Sequence, residues 1–367
     1  MLASLTTQRI SSIEENPRFK RIAEFLDREH FDGFTGQDLF IKQIIKKGWG
    51  QDIAALSNMA EAIALIPGLP RGLSHKRKLD LMQKIIERAL HPKVNPWKKP
   101  IDQVKDLGHF GYFLEHLNIC LGLYHQAGAQ DYKGLATRVS EHLAQASLLQ
   151  PNAHARLLPH VKMRWAADQA AIIYSLWIYD QNNGTALHNE PANRWLKYMH
   201  EHGKHHPTGL FITEVMGCHK YSNQPRGCSH SYMVHYMSAW APDVAAQQWR
   251  LFKRHMLIKR MGSWGFREYL HDFPGRMTPD SGPIISDVGI AATGLSLKVS
   301  THLDDELDSR RASMLKTAQR WNSALRGADM IPGLNMASRI GTDLLASGIM
   351  LIGELAMSLN GDHMYDA

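Results

Sequence analysis

The chain has little cysteine, only three residues in 367. An odd count builds no closed disulfide framework, so a reduced, cytoplasmic location is the simpler expectation. Long apolar runs are lacking as well. Met1 to Arg9 hold no apolar core of signal-peptide length. The most hydrophobic stretch, Leu344 to Leu359, carries Glu354 and falls short of the roughly 20 apolar residues a membrane span requires. No run alternates apolar and polar residues over more than a few positions, which argues against strands. No repeat of fixed period is visible, which weighs against an open solenoid of helix pairs. Nothing marks a linker, and the simplest organisation is one domain over 1–367. Excess charge of one sign is small too. The formal charge is +7, scattered in clusters such as Lys76-Arg77-Lys78 and Arg250-Lys253-Arg254, which reads as solvated helix faces rather than a nucleic-acid footprint. A mildly basic surface equally suits an acidic glycan or an anionic membrane face, and homo-oligomerisation stays open.

What the chain does have is helical periodicity from end to end, within a composition of 44% hydrophobic and 21% charged residues that suits a large packed core. Apolar residues recur at three- and four-residue spacing near 16–30, 37–47, 52–66, 76–90, 110–126, 132–149, 162–181, 190–203, 230–240, 243–261, 284–300, 304–326 and 340–359. The expected class is all-α. Short links alternate with long ones at Leu90–His109, Gln150–Val161, Gly203–Ser229 and Gly262–Ser286. Tightly joined helices pack antiparallel, so about six such hairpins predict an (α/α)6 toroid, with an inner ring around a pocket and long loops at its mouth.

Chemistry-bearing side chains concentrate between Glu214 and Tyr236. Cys218, His219, Tyr221, Asn223, Arg226, Cys228, His230, Tyr232, His235 and Tyr236 fall in this one span. With Ser229 as helix cap, Tyr232, His235 and Tyr236 share a stripe, and Cys228 sits at a helix N-terminus that favours thiolate. Buried structural cysteines and core tyrosines are the competing reading. The cysteines and histidines here, like the run His200, His202, His205 and His206, lack the spacing of familiar zinc sites, so no metal is expected. Asp168 falls on the apolar face of Trp165, Ile172 and Leu176. A carboxylate there must be paired or have a raised pKa, which suits a general acid. His116 lies in an apolar helix one turn beyond Tyr112. Asp280 stands in the turn Thr278-Pro279-Asp280-Ser281-Gly282-Pro283, either facing a pocket or capping the turn. Trp165, Trp177, Trp240, Trp264, Phe266 and Tyr269 offer aromatic surface for sugar rings or hydrocarbon, or simply core.

Several of these residues fall in short motifs. Gly111-Tyr112-x3-His116-Leu117 is followed by Tyr124, Asp131-Tyr132 and Leu135. Trp165-Ala-Ala-Asp168-Gln169-Ala170 precedes Tyr179-Asp180 and Arg194-Trp195-Leu196. Later come Pro225-Arg226-Gly227-Cys228-Ser229 and Asp280-Ser281-Gly282-Pro283. Together, over about residues 111–300, they resemble the bacterial linalool dehydratase-isomerase-like family of helical toroids. The resemblance implies a central pocket in which cysteines, a histidine, a tyrosine and an aspartate remove and add water at an allylic alcohol. By motif it points to Cys218, Cys228, His116, Tyr112 and Asp168.

The resulting expectation is a cofactor-free lyase or isomerase acting on a hydroxylated substrate. Asp168, Cys228, Cys218, His230, Tyr232 and His116 would carry the acid–base chemistry. Tyr112, Trp165, Tyr221, Asn223, Arg226, His235, Tyr236 and Asp280 would hold the substrate. Two other readings compete. A uronate lyase, epimerase or hydrolase would use Asn223, His230, Tyr232 and Arg226 on a glycan carboxylate. A non-catalytic binding or scaffold protein would show a pocket without converging ionisable groups.

Overall fold

The computed structural model describes residues 12–39, 50–70, 72–216, 223–260, 262–273, 275–278, 280–303, 314 and 343–362. Over these the protein is mostly helical, with eleven α-helices: α1 (Pro17–Leu26), α2 (Gln51–Leu65), α3 (His75–Leu90), α4 (Gly111–Gln126), α5 (Lys133–Leu148), α6 (Ala166–Asn183), α7 (Asn189–His202), α8 (Gly227–Trp240), α9 (Pro242–Met256), α10 (Ile290–Leu303) and α11 (Leu344–Asp362). Local chemistry sets many ends. Asn16 caps α1 by accepting from the Arg18 and Phe19 amides, with Pro17 pre-set in the first turn. Ser74 caps α3 through the Arg77 amide. The chain leaves α6 at Gly184, whose φ of 67° is the left-handed turn that glycine adopts freely. The predicted helix at 304–326 lies outside the described residues apart from Met314, as does the predicted 37–47 beyond residue 39.

The helices divide by burial pattern. In α2, every residue from Ile53 to Ile63 is buried, and α4, α6 and α8 are buried along most of their length. Helices apolar on all sides belong in an interior. By contrast α7 buries one stripe, Pro191, Ala192, Trp195 and Met199, as a covering helix does. Packing follows the same division. Helix α2 packs on α4, α4 on α6, α6 on α8, α8 on α10, α10 on α11, and α11 again on α2, which closes a cycle. Outside it, α1 lies on α11, α3 on α2 and α4, α5 on α4 and α6, and α9 on α8. The closing contact is tight. A Cβ added at Gly348 of α11 would stand 3.0 Å from the Asn58 backbone carbon of α2. Among the described residues no helix is long and apolar enough to cross a membrane.

Three two-stranded antiparallel ribbons correct the expectation that no strands form. They are β1 (Arg164–Trp165) with β2 (Glu214–Met216), β3 (Leu257–Arg260) with β4 (Ser263–Phe266), and β5 (Ile284–Ile285) with β6 (Val288–Gly289). The residues of β1, β3, β5 and β6 fall at the ends of the expected helices 162–181, 243–261 and 284–300, and those of β2 and β4 fall in the long links Gly203–Ser229 and Gly262–Ser286. Strands of two to four residues are too short for alternation to declare itself, and short apolar runs carry no distinct period. Two of the ribbons lead straight into inner helices, β1 into α6 and β6 into α10, and so fix where those helices begin.

Candidate active site

Inside the cycle of helices lies a cavity of about 460 Å³. Ala54, Tyr112, Asp168, Cys228, Ala291 and Leu345 line it, one from each of α2, α4, α6, α8, α10 and α11. All six fall within the first four residues of their helices. The six N-termini therefore face one space, so the positive ends of six helix dipoles bear on it. Trp165, Arg226, Thr278 and Asp280 line it from the connecting segments.

Asp168 enters the cavity from the first turn of α6. Burial pushes its carboxyl up to about 7, with Asp280 adding repulsion, although its own backbone amide and Glu115 work the other way. Beside it on α4 stands Glu115, with no exposed surface. Burial and the neighbouring Asp168 carboxylate hold Glu115 well above the ordinary range, so it keeps its proton. Next in α4 is His116, whose Nδ1 meets Ser57 Oγ at 2.6 Å and whose Nε2 lies 3.3 Å from the Tyr232 hydroxyl. Burial lowers the His116 pKa to about 3, leaving a neutral imidazole. Tyr112 closes edge-on over that ring, with centroids 4.9 Å apart.

A second cluster gathers at the start of α8. Arg226 donates from Nε to Glu268 Oε1 (3.1 Å), from Nη1 to Asp280 Oδ2 (2.9 Å) and from Nη2 to Thr278 Oγ1 (2.6 Å). The Cys228 amide donates to Glu268 Oε2 at 3.1 Å, and its thiol to Oε1 at 3.0 Å. Burial, and then the Glu268 carboxylate, push the Cys228 thiol well above its ordinary pKa despite Arg226. This corrects the expected thiolate. The helix N-terminus is present, but the carboxylate that caps it repels a sulfur anion.

Of the residues expected from the sequence, Asp168, Cys228, Tyr232, His116, Tyr112, Trp165, Arg226 and Asp280 line the cavity together. Cys218 and Tyr221 lie outside the described residues. Asn223 is exposed and lines a separate depression beside His205 and His206. His230 is not on the cavity wall. At about 100° per residue it lies on the far side of α8 from Cys228, its ring tilted against Phe252 with centroids 4.9 Å apart. His235 and Tyr236 continue the Tyr232 stripe but end below the cavity, on Glu61: His235 Nε2 is 2.9 Å from Oε2, and the Tyr236 hydroxyl donates to Oε1 at 2.8 Å. Of the aromatic residues singled out, Trp165 is on the wall. Among the described residues no group of three or more His, Cys, Asp or Glu converges to hold a metal ion.

Glu115, Glu268, Glu61 and Lys298 escaped the sequence reading. Three of them left a signal. Glu115 and Lys298 are the lone charges of otherwise apolar helices, and Glu61 shares α2 only with Asp52 in its first turn; such charges are rarely buried without partners. Comparison of the sequence with protein-family models and with curated proteins returns no match.

Proposed function

We propose that the chain is a cofactor-free acid–base enzyme of lyase or isomerase type, acting on an apolar substrate that carries a hydroxyl group. The observation that carries this reading is Asp168. It is a carboxyl facing a cavity walled by Ala54, Ala291, Ile349 and Met350, with its pKa raised to about 7. An acid so poised can protonate a leaving hydroxyl near neutral pH, and the apolar walls suit the hydrocarbon remainder. On the adjacent helix α8 the Tyr232 oxygen, backed by His116, is the group to accept a proton from the neighbouring carbon. We also read the cycle of six helices as the inner ring of a closed (α/α)6 toroid, in keeping with the resemblance to the linalool dehydratase-isomerase-like family.

The alternatives draw less support. A uronate-acting enzyme needs a guanidinium directed at the substrate, whereas Arg226 directs its donors to Glu268, Asp280 and Thr278. A scaffold has no use for Asp168, His116, Arg226, Cys228 and Tyr232 gathered on one cavity wall. The test is turnover of linalool and related tertiary and allylic alcohols, followed by gas chromatography for diene or rearranged alcohol. Asp168→Asn should lower the rate by roughly 10²–10⁴-fold. Equal turnover by the variant would remove Asp168 from the mechanism.

A further inference from the structure

Glu115 has no part in the reaction as proposed so far. It is fully buried, is not on the cavity wall, and neither of its carboxyl oxygens has a hydrogen-bond donor from another group among the described residues. A buried polar group in that condition is costly and calls for an explanation. The Asp168 carboxyl is its neighbour. His116 Nε2 lies 3.7 Å from its Oε1, just beyond hydrogen-bond reach. Two facing carboxyls can bond to each other only through a proton that one of them carries.

Hydrogen bonding also fixes the state of His116. The Ser57 hydroxyl has one proton and gives it to the Ala54 carbonyl at 3.1 Å. Ser57 Oγ therefore accepts from His116 Nδ1–H, and Nε2 is left with a lone pair toward the Tyr232 hydroxyl. Around this line of groups stand Tyr112 on α4, Asp280 at the mouth and, acting on His116 from below, the Glu61–Lys298 pair.

We propose that Tyr232, His116, Glu115 and Asp168 form one proton-return path, in which Glu115 passes the proton from His116 to Asp168 without touching the substrate. The proposal rests on the acid–base reading above. In the forward step the C–O electron pair leaves with the oxygen, which takes the Asp168 proton and departs as water. The adjacent C–H bond gives its electrons to the new double bond and its proton to the Tyr232 oxygen. Tyr232 gives its own proton to His116 Nε2. Glu115 gives its proton to the Asp168 carboxylate and takes one from His116. One proton leaves with water, one enters from carbon, and every group is restored without exchange with bulk solvent.

The test needs no substrate. Infrared difference spectra across pH should show a Glu115 carbonyl band, absent in Glu115→Gln, that moves as Asp168 ionises. In Asp168→Asn the band should persist and stand still, which keeps the test open should Glu115→Gln not fold. Nitrogen-15 NMR should find His116 protonated at Nδ1, with the Nε2 shift displaced in Tyr232→Phe. A Glu115 band indifferent to Asp168, or a His116 protonated at Nε2 and unmoved by Tyr232→Phe, would overturn the path. Coupling as described in a protein inactive on every alcohol would support the path and sink the enzyme reading alone.

Discussion

Asp168 sits between opposing influences. Its place in the first turn of α6 favours the anion, and burial with Asp280 nearby favours the acid; the outcome, about 7 against an ordinary 3.8, shows that burial wins. The folded protein therefore holds this proton more tightly than the unfolded chain. The stability tied to it is fully present below about pH 4 and is lost as pH rises through about 7. Glu115, held protonated in the fold, adds its own loss of stability over the same window, but it does so in wild type and variant alike and cancels in their comparison. Wild type should thus lose stability relative to Asp168→Asn between about pH 4 and about pH 7.5, on the order of 2–4 kcal/mol as an upper bound. Urea unfolding of both proteins at each pH measures it. A difference that does not change with pH would mean that Asp168 ionises as freely in the fold as in the unfolded chain.

At the scale of elements, the start of α8 shows how a cap can come from far along the chain. Arg226, the residue before the helix, makes no side-chain capping bond. Instead the Gly227 amide donates to the Glu268 carbonyl at 2.8 Å and the Cys228 amide to the Glu268 carboxylate. Gly227 permits this approach, since a Cβ there would stand 2.0 Å from the Arg267 carbonyl and 2.7 Å from Ala292 Cβ. Gly227→Ala should push α8 off both neighbours, cost about 1–3 kcal/mol or more, and free the Cys228 thiol from Glu268. Urea unfolding and site-resolved thiol labelling by mass spectrometry check both, with faster Cys228 labelling expected. Unchanged labelling would mean that the cap survives. The sequence suggested Ser229 as the cap because only local partners are visible there, and Glu268 lies 40 residues away. Helices whose signals are local were legible: His75–Leu90 was expected at 76–90 and Gly111–Gln126 at 110–126. In the site, Asp168 stood out because a carboxylate on an apolar face is conspicuous. Glu115 did not, because its role depends on which helix α4 meets. His230 falls off the cavity wall because membership of a polar cluster says nothing about which side of a helix faces inward.

Across the whole molecule, one buried network spans the interior of the helix cycle. Lys298 of α10, without exposed surface, donates from Nζ to Asn58 Oδ1 at 2.8 Å and to Glu61 Oε1 at 3.0 Å, both on α2. His235 and Tyr236 bring α8 to the same carboxylate. In the order of contacts α2 and α8 stand opposite each other, so these bonds cross the cycle beneath the cavity, where neighbour-to-neighbour packing does not reach. Burial alone would raise the Glu61 pKa, but Lys298, His235 and Tyr236 outweigh it and hold the carboxyl below its ordinary value. The network is therefore charged, and its parts depend on one another. Lys298→Met leaves the Glu61 carboxylate buried without its ammonium and should cost about 3–5 kcal/mol. Adding Glu61→Gln removes the stranded charge, so the double variant should be more stable than the two separate losses summed, by roughly 0.5–3 kcal/mol in a double-mutant cycle read from urea unfolding. Strictly additive losses would mean that α2, α8 and α10 are held by separate contacts. The floor of the cavity would then owe its width to packing around the cycle, not to a charge shared across it.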